Sequence, residues 1–116
     1  MRLERIAAGL LGACGVAAAA ASAHGGDQRL MGAVALICLT HAPAILALSA
    51  IGRSRLVAVA IVLLFSGAAV FSADLALRAL DAARLFPLAA PTGGLAMIAG
   101  WLLTAASGLF SARQSH

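Results

Sequence analysis

Residues 56–77 read LVAVAIVLLFSGAAVFSADLAL, with Asp74 as the one charged side chain. At ~1.5 Å of rise per residue, a helix of this length crosses the ~30 Å of hydrocarbon in a bilayer. Three further stretches repeat the pattern, over residues 6–23, 30–51 and 88–110. Short polar breaks separate them, at residues 24–29, 52–55 and 78–87. Such short links make successive helices antiparallel neighbours. The expected fold is therefore all-α, an integral-membrane four-helix bundle of up-down topology, in a single membrane domain over residues 1–116.

Composition excludes the alternatives. The chain is 63% hydrophobic and 10% charged, whereas a water-soluble domain of this size needs roughly 25% charged residues to wet its surface. The same hydropathy, a mean of +1.04, excludes disorder. The pI of about 11.2 rests on a formal net charge of only +4. Its arginines are scattered, without the basic stripe that nucleic acid requires. No nucleic-acid partner is expected. The two cysteines, Cys14 and Cys38, lie inside apolar runs, which is not the pattern of a secreted disulfide framework.

The first stretch admits a second reading. Arg2 and Arg5 followed by residues 6–20 and then Ala21-Ser22-Ala23 match the plan of a secretory signal peptide. Leu11-Gly12-Ala13-Cys14 resembles a lipoprotein box, but the apolar run ahead of it is too short. With four spans retained, Arg2, Arg5, Arg53, Arg55 and Arg113 fall on one side and Arg29, Arg78 and Arg84 on the other. The excess places both termini in the cytoplasm.

Lipid supplies no hydrophobic drive between helices, so small residues must let backbones approach. Ala96, Gly100, Thr104 and Gly108 share one face of the fourth helix, and Ala8 with Gly12 and Gly9 with Ala13 do the same on the first. Pro43 sits in mid-helix two, where a kink is expected at the freed carbonyl of Leu39. Pro87 is expected to begin helix four. Pro91-Thr92-Gly93-Gly94 then predicts a bend near its start, a backbone irregularity that membranes tolerate only inside protein or beside a wet cavity.

Few polar residues lie within the spans. His41 is ~16 Å below Leu30 and Ser66 ~15 Å from Leu56, both near the midplane. Cys14 and Cys38 reach a similar depth, so the four are expected to share a central layer. An intramembrane histidine is a functional candidate; the plainer reading is a neutral ring bonded to a neighbouring helix. Cys14, Cys38 and His41 lack the spacing of a metal motif, and one chain does not offer two histidines at the same depth for a haem. Neither metal nor cofactor is expected. A second group, His24, Asp74, Arg78 and Thr92, is expected to converge at the opposite mouth. Asp74 and Arg78 stand in the favourable i, i+4 order, as an interfacial salt bridge or as the lining of a small vestibule. No catalytic motif is present, and no enzymatic activity is expected.

Several blocks together resemble a known group. They are Ala23-His24-Gly25, His41 with the apolar run behind it, Leu64-Phe65-Ser66-Gly67, Pro91-x-Gly93-Gly94 and Ala99-Gly100-Trp101. Their order and spacing are similar to those of the YgdD-like small membrane proteins, domain of unknown function 423, with which human transmembrane protein 256 is grouped. The resemblance implies a four-span bacterial inner-membrane protein of unassigned biochemical role, with His24 in the mature chain. Gly67, Pro91, Gly93, Gly94, Gly100 and Trp101 are expected to serve helix packing. The chain departs from the pattern at Ala90, where a Thr is usual, and at Ala68-Ala69-Val70, where a Tyr is expected. Its first loop is also short. The expected role is packing with itself or with a larger membrane complex in the lipid bilayer. The alternative is a small-solute or proton carrier built on His41 and the outer polar cluster.

Overall fold

The computed structural model describes residues 2–52 and 54–114, and side chains as far as residue 110. Arg53 and the side chain of Arg113, two of the arginines behind the orientation argument, lie outside what is described. Four helices follow one another: α1 (Arg2–Ala23), α2 (Gln28–Ala50), α3 (Arg55–Ala79) and α4 (Ala89–Gln114). All four are long and apolar enough to cross a membrane, α4 over Ala89–Phe110. The protein is a multi-pass, all-α, four-helix membrane bundle.

The breaks between helices carry the local chemistry of helix ends. Asp27 accepts the amide N–H of Leu30 at 3.1 Å and caps α2. Ser54 accepts that of Val57 at 3.1 Å and caps α3. Each cap satisfies one of the amides that a helix N-terminus leaves open. Gly25 and Gly52 take φ of 111° and 132° in the first two connectors, a region that side chains with a Cβ rarely enter.

The third connector, residues 80–88, is longer and less regular, with Asp81 and Leu88 at φ of 59° and 63°. Pro87 belongs to it and does not begin the helix. Because α4 starts at Ala89, Pro91 falls in the first turn, where its missing N–H removes no internal bond. The irregular backbone expected at Pro91–Gly94 thus lies just ahead of the helix, at Leu88. In α2 the backbone remains helical through Pro43.

Packing follows chain order. α1 lies against α2, α2 against α3, and α3 against α4, with only a slight contact between α1 and α3. Among the described residues α1 and α4 make no close backbone approach, nor do α2 and α4. The bundle is therefore open along its α1 and α4 edges. Its core comprises Leu11, Val34, Cys38, Ile45, Leu64, Ala68, Leu75 and Met97 with their small neighbours. Much of the exterior is apolar too: Leu10, Val16, Leu36, Val62, Leu95, Ile98 and Leu102 are each more than half exposed. Water would reject that surface, and a bilayer accepts it.

Glycines set the closest approaches. A Cβ on Gly67 would stand 2.7 Å from the carbonyl oxygen of Gly93, and one on Gly93 would stand 2.7 Å from that of Gly67. The α3 and α4 backbones thus touch through a reciprocal glycine pair. Gly100 faces Leu64 and Ala60 further along the same seam, and Gly15 faces Leu39 and Cys38 between α1 and α2.

Candidate functional site

Among the described residues, three polar groups are buried in an otherwise apolar interior: His41, Ser72 and Asp74. Each is engaged by a partner on another element or turn.

His41, 5% exposed, tethers α2 to α4. The indole Nε1–H of Trp101 donates to its Nε2 at 3.1 Å, and the rings meet edge-on with centroids 5.6 Å apart. Indole N–H is a donor only, so Nε2 holds a lone pair. The proton therefore sits on Nδ1, which donates to the carbonyl of Ile37 at 2.8 Å. The Thr40 hydroxyl oxygen lies 3.2 Å from the same nitrogen. Both ring nitrogens are occupied and the imidazole is neutral. This one contact joins two helices whose backbones do not closely approach.

The Sγ of Cys38 lies 3.3 Å from the Oγ of Ser72 on α3. Cys14 and Cys38 line one cavity of about 480 Å³ between α1, α2 and α3, together with Ser72 and residues such as Leu10, Met31 and Phe65. His41 and Ser66 do not line it. Ser66 faces the other side of α3, donates to its own helix at Val62, and lines a small recess of about 130 Å³ with Phe86 and Thr92. The single central layer expected from depth alone is therefore divided. Depth places residues at one level but does not say which way each helix turns them.

At the end of α3, Asp74 is fully buried and Arg78 extends to it with Nη2 2.8 Å from Oδ2. The other carboxylate oxygen accepts the amide N–H of Leu85 at 3.1 Å. Asp74 thus ties the third connector back onto the bundle as well as holding the ion pair. His24 is exposed after the end of α1, and Thr92 is exposed with its hydroxyl donating to Leu88 of the same turn. Among the described residues neither side chain bonds to the Asp74 and Arg78 pair, so the four do not form one cluster.

Of the packing candidates, Gly67, Gly93 and Gly100 lie in the α3 and α4 seam, and Trp101 bonds His41 across to α2. Gly94 has open space where a Cβ would stand, and Pro91 is exposed. Two contributors escaped the sequence reading: Ser72 and the backbone N–H of Leu85. The pairing of Trp101 with His41 escaped it as well, although a signal was available. His41 lies thirteen residues into α2 and Trp101 twelve residues into α4, and alternate helices of an up-down bundle run the same way.

A model for a family described as proteins of unknown function (DUF423) matches residues 11–94. That range takes in the buried residues His41, Ser72 and Asp74 and the Gly67 and Gly93 pair, and stops before Gly100 and Trp101. Comparisons with curated proteins and with solved structures find no match.

Proposed function

The chain belongs to the DUF423 family of proteins of unknown function, and from that premise we propose that it acts by helix packing, with itself or within a larger membrane complex, and not as an enzyme. One observation carries this reading: the buried polar side chains of the bundle are engaged in holding its own elements together. His41 holds α4, Ser72 holds Cys38 of α2, and Asp74 holds the third connector. What remains on the outside is apolar surface and two open edges. In lipid, association then rests on van der Waals packing of close-fitting surfaces. Gly9 and Gly108 have open space at the Cβ position, which leaves room there for a neighbouring helix.

The reading places the protein in a bacterial inner membrane with both termini in the cytoplasm. The support is the arginine excess on that side. A fluorescent-protein fusion at the C-terminus should glow, and an alkaline phosphatase fusion at the same point should stay inactive.

The carrier alternative depends on a histidine able to exchange protons along a path. His41 has a lone pair already taken by Trp101 and a proton already given to Ile37, an arrangement suited to a tether. Affinity isolation from native membranes in mild detergent tests the main reading. Recovery with a second copy or a defined partner supports it. A strictly monomeric species with no partner counts against it.

A further inference from the structure

The packing role uses Cys38 through its contact with Ser72 but gives no part to Cys14 or to the two thiols as a pair. They nevertheless open into the same cavity. Their register follows from the glycines of α1. Gly12 faces the Cβ of Ala42 at 3.8 Å, and a Cβ on Gly15 would stand 3.1 Å from the Cβ of Cys38. In that antiparallel register Cys14 is level with a point two residues beyond Cys38, an offset of ~3 Å along the axis. Gly15, the immediate neighbour of Cys14, is also where a Cβ would press on the side chains of Leu39 and Cys38. A disulfide asks for Cβ atoms about 3.5–4.5 Å apart; Cβ atoms move only with the backbone, so closing the pair needs α1 to turn or slide on α2 at this point of contact, and a rotamer change then aims each sulfur at the other.

The two thiols differ in setting. Cys14 is exposed at the rim, facing lipid, and Cys38 is 1% exposed with its sulfur held by Ser72. No charged residue lines the cavity, so any chemistry in it must avoid leaving charge behind.

We propose that Cys14 and Cys38 form an intramembrane redox pair, closed to an α1–α2 disulfide by a lipid-soluble oxidant of the quinone class. Two S–H bonds break and one S–S bond forms. The two protons and two electrons pass to the carbonyl oxygens of the quinone, which leaves as the quinol. Reactants and products are all neutral, as the cavity requires. The oxidant approaches from the lipid side at Cys14. The disulfide fastens α1, the helix at the open edge, to α2.

The test uses the full-length, reduced protein in liposomes and a fully substituted benzoquinone, which has no free ring position for a thiol to attack. The sample is then denatured, treated with a maleimide and weighed intact. The expected result is a chain that has lost two hydrogens, carries no maleimide and has produced one quinol. Cys14→Ser and Cys38→Ser should each abolish quinol formation and leave one thiol open to maleimide. Cys14→Ser alters only an exposed rim position, so its helical circular dichroism should match the parent. Two maleimides on the parent after oxidant would overturn the proposal. So would a disulfide joining two copies through Cys14. Two free thiols would leave the packing role untouched, and a bond between copies would overturn the redox pair while itself reporting association, so the two readings fail separately.

Discussion

At the scale of single residues, the polar interior makes specific energetic claims. Trp101→Phe leaves Nε2 of His41 without a donor, His41→Phe leaves the indole N–H of Trp101 without an acceptor, and the double variant removes both groups. A double-mutant cycle on unfolding in detergent should give a coupling of about 0.5–2 kcal/mol, the range for polar contacts between membrane helices. A coupling of zero would mean the tether holds nothing. Arg78→Ala leaves the carboxylate of Asp74 with the Leu85 amide and the more distant charge of Arg84. The expected result is a loss of stability, smaller than for a fully buried pair because Arg78 is partly exposed. Adding Asp74→Asn should recover most of it, since Asn keeps an acceptor for Leu85 without the charge. Gly67→Ala should cost about 1–3 kcal/mol, because the new methyl meets a backbone carbonyl that cannot move aside. Gly94→Ala, which meets open space, should be neutral or gain from helix propensity. Such residues were partly legible beforehand. Asp74 and Arg78 pair within one helix, so their spacing reveals them. His41 and Trp101, or Cys38 and Ser72, pair across helices, and spacing within a helix says nothing about which faces meet.

At the scale of elements, the four helices were legible because lipid dictates their length. Runs of about twenty apolar residues ended at Asp27, Gly52 and Ser54, whose capping and turn chemistry explains the breaks. Helix four begins at Ala89, later than Pro87 suggests, although Pro87 suits a first helical turn. Leu88, with its φ of 63°, shows the chain still turning there. The packing faces were less legible, since helices apolar all round offer no stripe to read. Glycine placement recovers part of this. Gly15 brings α1 onto α2, and Gly15→Val should part the pair. Cys38, nearly inaccessible in the parent, should then react faster with a membrane-permeant maleimide by tenfold or more. Gly9→Val, at an open position, should leave the rate unchanged. Equal rates in the two variants would show that α1 is not seated as described.

At the scale of the whole molecule, a bundle that packs in chain order and stays open between α1 and α4 presents two helix edges to its surroundings. The sequence announced the bundle but not its openness, because short connectors fix which helices are consecutive and leave the closing contact free. Those edges are where the proposed association would occur, and bulky residues there should disrupt it without unfolding the chain. Gly9→Leu and Gly108→Leu are the natural pair. They should retain the parent's helical content while shifting its assembly toward the single chain. If the protein acts through such assembly, native mass spectrometry on vesicles ejected from its own membrane should record it. The expected spectrum shows an assembly heavier than one chain, of copies or of copies with a partner, that is reduced by the two leucine variants. A single chain alone, at every dilution and unchanged by those variants, would contradict it.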